Sequence, residues 1–188
     1  MEKLKVILAS QSPRRKELLK YLFDDFDIIT SNIDEKCDAS YPLDKRPELF
    51  AVMKGKNISE KYQDSLVISA DTMVLVDDIA LGKPNSKEEA FAMISLLSGR
   101  THKVITGVYI AYKGKSISFS SETLVEFYKL SNEEIFQYIS TDECVDKAGA
   151  YAIQGKAATF VKSINGDYFN VVGLPIGAIN NVLKFFIK

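Results

Sequence analysis

Ser10, Arg14, Arg15, Glu35, Lys54, Asp71, Thr72, Lys83 and Gln154 are the residues of this chain whose types and settings could do chemistry. The first three belong to the run Ser10-Gln11-Ser12-Pro13-Arg14-Arg15, which follows the apolar stretch 4–9. This reads as a short buried strand, a polar turn and then a helix. Pro13 suits the first helical position, where a missing N–H costs nothing, and Ser12 suits the cap before it. Two guanidinium groups are then held at the positive end of a helix dipole, beyond the carboxyl end of a strand. That setting attracts phosphate oxygens. An arginine pair alone is more simply read as solvated helix charge, so the reading depends on what else the chain supplies.

Asp71 follows an apolar run in Ser69-Ala70-Asp71-Thr72, where the strand pattern gives out. A carboxylate there suits a general base toward water or a ligand for a divalent cation, and equally a turn. Lys83, in Leu81-Gly82-Lys83-Pro84, is a compact triple donor fit for phosphate or for an exposed turn. Lys54 projects from a helix pattern, and Glu35 lies in an irregular acidic stretch; taken alone, each is a surface charge. Gln154 sits in Gly149-Ala150-Tyr151-Ala152-Ile153-Gln154-Gly155, between glycines that let backbone approach a ligand. A glutamine amide complements the adjacent N–H and carbonyl of uracil or thymine, and by flipping it could also meet cytosine.

The elements that must position these groups alternate between strand and helix patterns. Strands are expected over 4–9, 26–30 and 65–70, the last continuing through 73–76. A helix is expected from Pro47 to about Lys61. Ser86-Lys87-Glu88-Glu89 and Ser131-Asn132-Glu133-Glu134 have capping-box spacing and open two more helices, the first ended by Gly99. Strand patterns cover 104–112, 117–119 and 124–128, with Lys113-Gly114-Lys115 as a hairpin turn. A glycine-punctuated stretch runs from 149 to 173. Pro175 then starts a last helix whose apolar side carries Ile179, Val182, Leu183 and Phe186. Phe185 and Phe186 fit the core better than a homodimer contact. Residues 34–45 read as a mobile loop over a site. The expected fold is α/β: one domain, 1–188, with a mixed, bent central sheet, helices, and two lobes around a cleft.

Bulk properties narrow the function classes. The 188 residues carry 24 Lys and Arg against 25 Asp and Glu, a net charge of -1, so no basic excess points to nucleic acid or a membrane surface. Cys37 and Cys144 lack metal-ligand spacing and read as reduced thiols. No signal-peptide layout or bilayer-length apolar run is present, so a cytoplasmic location is expected. No Walker A sequence, GxGxxG fingerprint or GxSxG elbow occurs. The single histidine, His102, excludes a His-rich metal site and is expected to cap or pack near Gly99-Arg100-Thr101.

In order along the chain, Leu8-Ala9-Ser10-Gln11-Ser12-Pro13-Arg14-Arg15, Ala70-Asp71-Thr72, Leu81-Gly82-Lys83-Pro84, Leu97-Ser98-Gly99-Arg100-Thr101-His102 and Thr106-Gly107-Val108 resemble the Maf family. Asp146-Lys147-Ala148-Gly149-Ala150-Tyr151 and Asn170-Val171-Val172-Gly173-Leu174-Pro175 continue the resemblance to nearly the whole chain. It implies a nucleoside triphosphate pyrophosphatase, with a two-lobed fold related to that of the inosine triphosphate pyrophosphatases and a divalent cation, Mg2+ or Mn2+. The family was first connected with septum formation and is regarded as housekeeping against unwanted nucleotides. The 150–155 segment is similar to the branch acting on dTTP and UTP; the 7-methyl-GTP branch ends this segment in Glu-Gly. By this resemblance Arg14, Thr72 and Gln154 set specificity, and Asp71 is the proton acceptor. Arg14, Arg15, Lys54 and Lys83 bind phosphate, Ser10 and Glu35 are site residues, and Glu35 with Asp71 holds the metal.

The chain departs from the family pattern at Gly55, where alanine is usual, which is expected to loosen that helix slightly, and at Ala152, where glycine is common. Two other readings stay open. One is the sister activity on 7-methyl-GTP, disfavoured because an amide would not pair with a cationic base. The other is a division-linked nucleotide-binding protein without turnover, disfavoured by the full set of acid and base positions.

Overall fold

The computed structural model describes residues 4–186. The Phe185 side chain, assigned above to the core, lies outside what is described, whereas Phe186 is half-buried. The chain divides into two compact units. One comprises residues 1–71, 106–121 and 173–188; the other comprises 72–105 and 122–172. The strand order is β2 (Asp27–Ile28), β1 (Val6–Leu8), β3 (Leu66–Val76), β5 (Thr101–Tyr112), β6 (Lys115–Phe127) and β7 (Val161–Asn165), with β4 (Ile79–Leu81) paired to β3.

In the first unit, β1 (Val6–Leu8) is buried along its whole length, as an apolar run flanked by neighbours should be. It pairs in parallel with the start of β3 (Leu66–Val76), setting Val6, Ile7 and Leu8 opposite Leu66, Val67 and Ile68. It also pairs with β2, which is only Asp27–Ile28 and exposed, shorter than the expected 26–30. Helix α1 (Pro13–Leu19) starts as its sequence predicts: Pro13 opens it, and the Ser12 hydroxyl accepts from the Arg15 N–H at 3.4 Å. Leu18 and Leu19 are its buried face. Residues 34–42 form no regular element and lead through a 3-10 turn at Leu43–Lys45 into α2 (Arg46–Ser59). Gly107 lets α2 begin close to the sheet, because a Cβ there would lie 2.2 Å from the Glu48 backbone nitrogen. Glu48 in turn accepts hydrogen bonds from Ser118 Oγ and Ser120 Oγ at 2.7 and 2.9 Å. The last helix of the chain, α6 (Ile176–Phe186), buries Ile179 and Leu183 as its pattern predicts.

The second unit holds the rest of β3, then β4 (Ile79–Leu81), helix α3 (Lys87–Leu97), the start of β5 (Thr101–Tyr112), the end of β6 (Lys115–Phe127), helix α4 (Asn132–Ile139), β7 (Val161–Asn165) and α5 (Tyr168–Val172). The sequence pattern separated 117–119 from 124–128, but β6 is one unbroken strand. Its core gathers Val74, Ile94, Leu97, Val125, Phe127, Ile135, Tyr138, Tyr151 and Phe160. At the start of α4 the capping box is complete. The Ser131 hydroxyl accepts from Glu134 N–H, and the Glu134 carboxylate accepts from Ser131 N–H at 2.7 Å. At α3 only half of the expected box forms: Ser86 caps Glu89 N–H, but the Glu89 carboxylate turns to the Asn85 N–H and side-chain amide instead. Ser131→Ala is therefore expected to cost about 1 kcal/mol and to lower Tm by roughly 2–4 °C, read by thermal unfolding. An unchanged Tm would mean that the box contributes nothing.

Candidate active site

The two carboxylates singled out in the sequence meet in the first unit around one ammonium. Lys54 Nζ lies 2.7 Å from Asp71 Oδ1 and 3.0 Å from Glu35 Oε1. Lys54 and Asp71 each keep only 17% of their side-chain surface, whereas Glu35 keeps 41%. Three segments contribute: the irregular stretch after β2 brings Glu35, the middle of α2 brings Lys54, and β3 brings Asp71. Asp71 interrupts the apolar run but not the strand, which continues as the 73–76 pattern predicts. The strand runs on to Val76, and full burial lapses only at Asp71, Thr72 and Met73. The carboxylate thus stands on a rigid element, flanked by strand residues on both sides. A partly buried, ion-paired Lys54 also differs from a solvated helix lysine.

Ser10 and Arg15 join this unit's polar set. Ser10 is buried, and its hydroxyl accepts from Arg15 Nη1 at 3.2 Å and from the Ser12 N–H at 3.3 Å. Arg15 Nε donates to the Gly173 carbonyl at 2.8 Å. The guanidinium is thereby fixed from two sides, not left on the helix surface. Burial lowers its pKa, the Asp71 charge opposes that, the Arg14 charge adds to it, and Glu35 again opposes it. Arginine stays protonated regardless. Arg15 thus feels the charges of both carboxylates and of a second cation. Arg14 is half-buried. Ser10, Arg14, Arg15, Glu35, Lys54 and Asp71 thus all belong to one compact unit.

Thr72, Lys83 and Gln154 belong to the other unit. Thr72 is half-buried in β3, directly after Asp71. Lys83 is exposed in the turn between β4 and α3, and that turn is tied down because the Gly149 N–H donates to the Gly82 carbonyl at 2.9 Å. Gly149 itself has a φ of +68°, and a Cβ there would press on Val74 at 3.1 Å. Gln154 is exposed at a bend.

Sequence reasoning placed His102 near Gly99-Arg100-Thr101 as a cap or a packing residue. It packs, but against a distant segment. It lies in β5 at 2% exposure, with Nε2 2.6 Å from the Tyr151 hydroxyl. Burial pushes its pKa from the usual 6.5 down to about 4, and pushes the Tyr151 phenol up. Between those two values for His102, the unfolded chain binds a proton that the folded chain refuses. The contribution of a neutral His102 is complete above pH 6.5 and is lost as the pH falls toward 4, at up to about 1.4 kcal/mol per pH unit. Urea midpoints should therefore fall more steeply between pH 6.5 and 4.5 in the native chain than in His102→Gln. Equal slopes would refute the burial argument.

Among the described residues no three His, Cys, Asp or Glu side chains group so as to hold a metal ion. Glu35 and Asp71 converge on Lys54, and they supply hard oxygen donors of the kind Mg2+ and Mn2+ take. Mg2+ is commonly held by one or two carboxylates together with substrate phosphates, so the pair fits an ion completed by a ligand rather than a protein cage. Neither cysteine is in a disulfide, and Cys144 is buried. No described helix is long and apolar enough to cross a membrane.

The family model described as Maf-like protein matches residues 5–186. The chain belongs to the Maf family. A protein of Geobacillus sp. named dTTP/UTP pyrophosphatase is 50% identical over 171 residues, covering 91% of this chain and 92% of that protein. One of Bacillus cytotoxicus with the same name is 48% identical over 183 residues, covering 97% and 95%. Among solved structures, a nucleoside-triphosphatase and dITP/XTP pyrophosphatase from Mycobacterium abscessus matches with a TM-score of 0.46 and 10% identity, over 98% of this chain and all of that one. That likeness is too loose to carry residues across.

Proposed function

We propose that this chain is a nucleoside triphosphate pyrophosphatase that hydrolyses dTTP and UTP to the monophosphate and pyrophosphate, clearing unwanted nucleotides. Family membership and the names of its relatives support the reaction. The observation that carries the site assignment is the Lys54 ammonium held between Asp71 and Glu35, with Arg15 fixed by Ser10 and Gly173 close by. Such a cluster offers both a base for water and cations for a leaving phosphate.

Water attacks the α-phosphorus, the bond from that phosphorus to the bridging oxygen breaks, and pyrophosphate leaves with the charge. Asp71 takes the proton of the attacking water. Its Oδ1 is engaged by Lys54 in the free protein. A triphosphate offers Lys54 a denser anion and so releases Oδ1 for the proton. Arg15 is preorganised, since its Nε and Nη1 bonds orient the guanidinium before substrate arrives, and it stabilises charge without rearranging. Arg14, Lys54 and Lys83 add phosphate contacts. Glu35 and Asp71 would hold Mg2+ or Mn2+, which supplies charge neutralisation on phosphate oxygens when bound. Thr72 and Gln154, together with Arg14, select the base; the Gln154 amide meets the paired acceptor and donor of uracil or thymine.

The test is pyrophosphate release from dTTP, UTP, CTP, GTP and 7-methyl-GTP, each with Mg2+ and with Mn2+. Preference for dTTP and UTP is the expected result. Preference for 7-methyl-GTP would keep the reaction and overturn the base assignment. Pyrophosphate from none of them would overturn the enzymatic reading.

A further inference from the structure

Gln154 sits on a segment with no regular hydrogen-bonded structure between Tyr151 and Gly155, so something else must hold it in register. The segment bends sharply at both ends, with φ of +61° at Ala150 and +73° at Gly155. Three side-chain pegs anchor it. Tyr138 Oη donates to the Ala150 carbonyl at 3.2 Å, the Glu143 carboxylate accepts from the Lys156 N–H at 2.9 Å, and Tyr151 reaches inward to His102. The third peg is the one whose anchoring side chain belongs to the segment itself. Its imidazole is wedged: the His102 ring stands edge-on to Phe127 at 4.9 Å and to Tyr151 at 5.3 Å, with interplanar angles of 90° and 87°. Phe127 also packs edge-on to Tyr151 at 4.8 Å. The Tyr151 hydroxyl therefore meets a partner that cannot tilt.

His102 Nδ1 is buried without a partner. The Nε2–Oη bond forms with either tautomer: a protonated Nε2 donates to Tyr151 Oη, and a bare Nε2 accepts from the Tyr151 hydroxyl. In these dry surroundings such a bond is strong and directional. None of these groups takes part in the chemistry assigned to Asp71, Lys54 and Arg15.

We infer that His102 and Tyr151 act as a positioning pair for base selection: their hydrogen bond fixes the 150–155 segment and thereby aims Gln154. This rests on the reading that Gln154 meets the base. An error in aim lowers discrimination between uracil and cytosine, because a misplaced amide can no longer favour one edge over the other. It leaves the phosphate chemistry intact.

The experiment is steady-state kinetics on UTP and CTP for the native chain, Tyr151→Phe, His102→Leu, His102→Gln, the double variant Tyr151→Phe with His102→Leu, and Gln154→Ala. Tyr151→Phe removes one oxygen and keeps the ring packing, so it preserves the fold. Tyr151→Phe and His102→Leu should each lower the UTP-over-CTP ratio of kcat/KM about 10-fold, the worth of one buried hydrogen bond, chiefly through KM for UTP. The double variant should fall no further than either single one. His102→Gln, whose amide can donate to or accept from the Tyr151 hydroxyl in place of Nε2, should keep most of the selectivity. If Gln154→Ala collapses the ratio while Tyr151→Phe leaves it unchanged, the positioning role is wrong and the base reading stands. If Gln154→Ala itself leaves the ratio unchanged, the base reading fails and the inference fails with it. An equal drop in kcat for both nucleotides in Tyr151→Phe, at an unchanged ratio, also overturns the positioning role.

Discussion

Asp71→Asn should bind nucleotide as well as the native chain does and lose a factor of ~10²–10⁴ in turnover, the usual worth of a positioned proton acceptor. The substitution keeps shape and one carbonyl oxygen, so Lys54 keeps a partner at that position and Glu35 keeps its own contact at 3.0 Å. What is lost is the ability to take a proton from water. Binding should persist because Arg15, proposed to meet phosphate, is held by Ser10 and the Gly173 carbonyl and not by Asp71. Two measurements separate the cases: calorimetric affinity for a non-hydrolysable UTP analogue, and pyrophosphate release under saturating UTP. Native affinity with collapsed turnover supports the assignment. Native turnover removes Asp71 from the chemistry. Collapsed affinity would assign it instead to holding the cationic cluster together.

What the sequence reveals and conceals follows from the range of each interaction. The start of α1 is legible because Ser12, Pro13 and Arg15 are neighbours, and the cap is a matter of three residues. The Ser131 box is legible for the same reason. The Ser86 box has the same spacing but forms by half, because Asn85, one residue outside the motif, competes for the Glu89 carboxylate. Strands β4 and β7 and the short helix α5 carry little pattern of their own. Strand β7 exists because residues 161–165 find Leu124, Val125, Glu126 and Phe127 across the sheet. The run of β3 through Asp71 is legible, because the apolar pattern resumes at 73–76 after Thr72. The candidate site residues are individually picked out by the family resemblance. Their grouping is not: Lys54 and Asp71 lie 17 positions apart, and His102 and Tyr151 lie 49 apart. No local period encodes such pairs.

Gly55 shows how a local reading can invert the physics, and it carries the second large effect. By helix propensity, glycine in place of alanine inside α2 is a loosening worth about 1 kcal/mol. In the fold, a Cβ at this position would lie 2.2 Å from Tyr109 Cδ1 and 2.3 Å from Ser69 Oγ. Glycine is therefore what lets α2 sit close to the sheet beside a tyrosine. Two bonds fasten the helix at that distance: Ser69 Oγ donates to the Ala51 carbonyl at 2.6 Å, and the Tyr109 hydroxyl meets Ser59 Oγ at 3.4 Å. Gly55→Ala should thus destabilise despite its better propensity, by about 1–3 kcal/mol, as overpacking does. It should also disable the enzyme, because Lys54 is the next residue and its Nζ is set at 2.7 Å from Asp71 by the seat of this helix. A displacement of about 1 Å at a reacting group can cost ~10²-fold in rate. Trimming the obstruction tests the cause: Tyr109→Val combined with Gly55→Ala should recover activity and Tm relative to Gly55→Ala alone. A Gly55→Ala chain with native or higher Tm and native turnover would restore the propensity reading and show that the helix has room to spare. A double variant no better than the single one would mean that Tyr109 is not the obstacle, leaving Ser69 and its bond to Ala51 as the contact that fixes the helix.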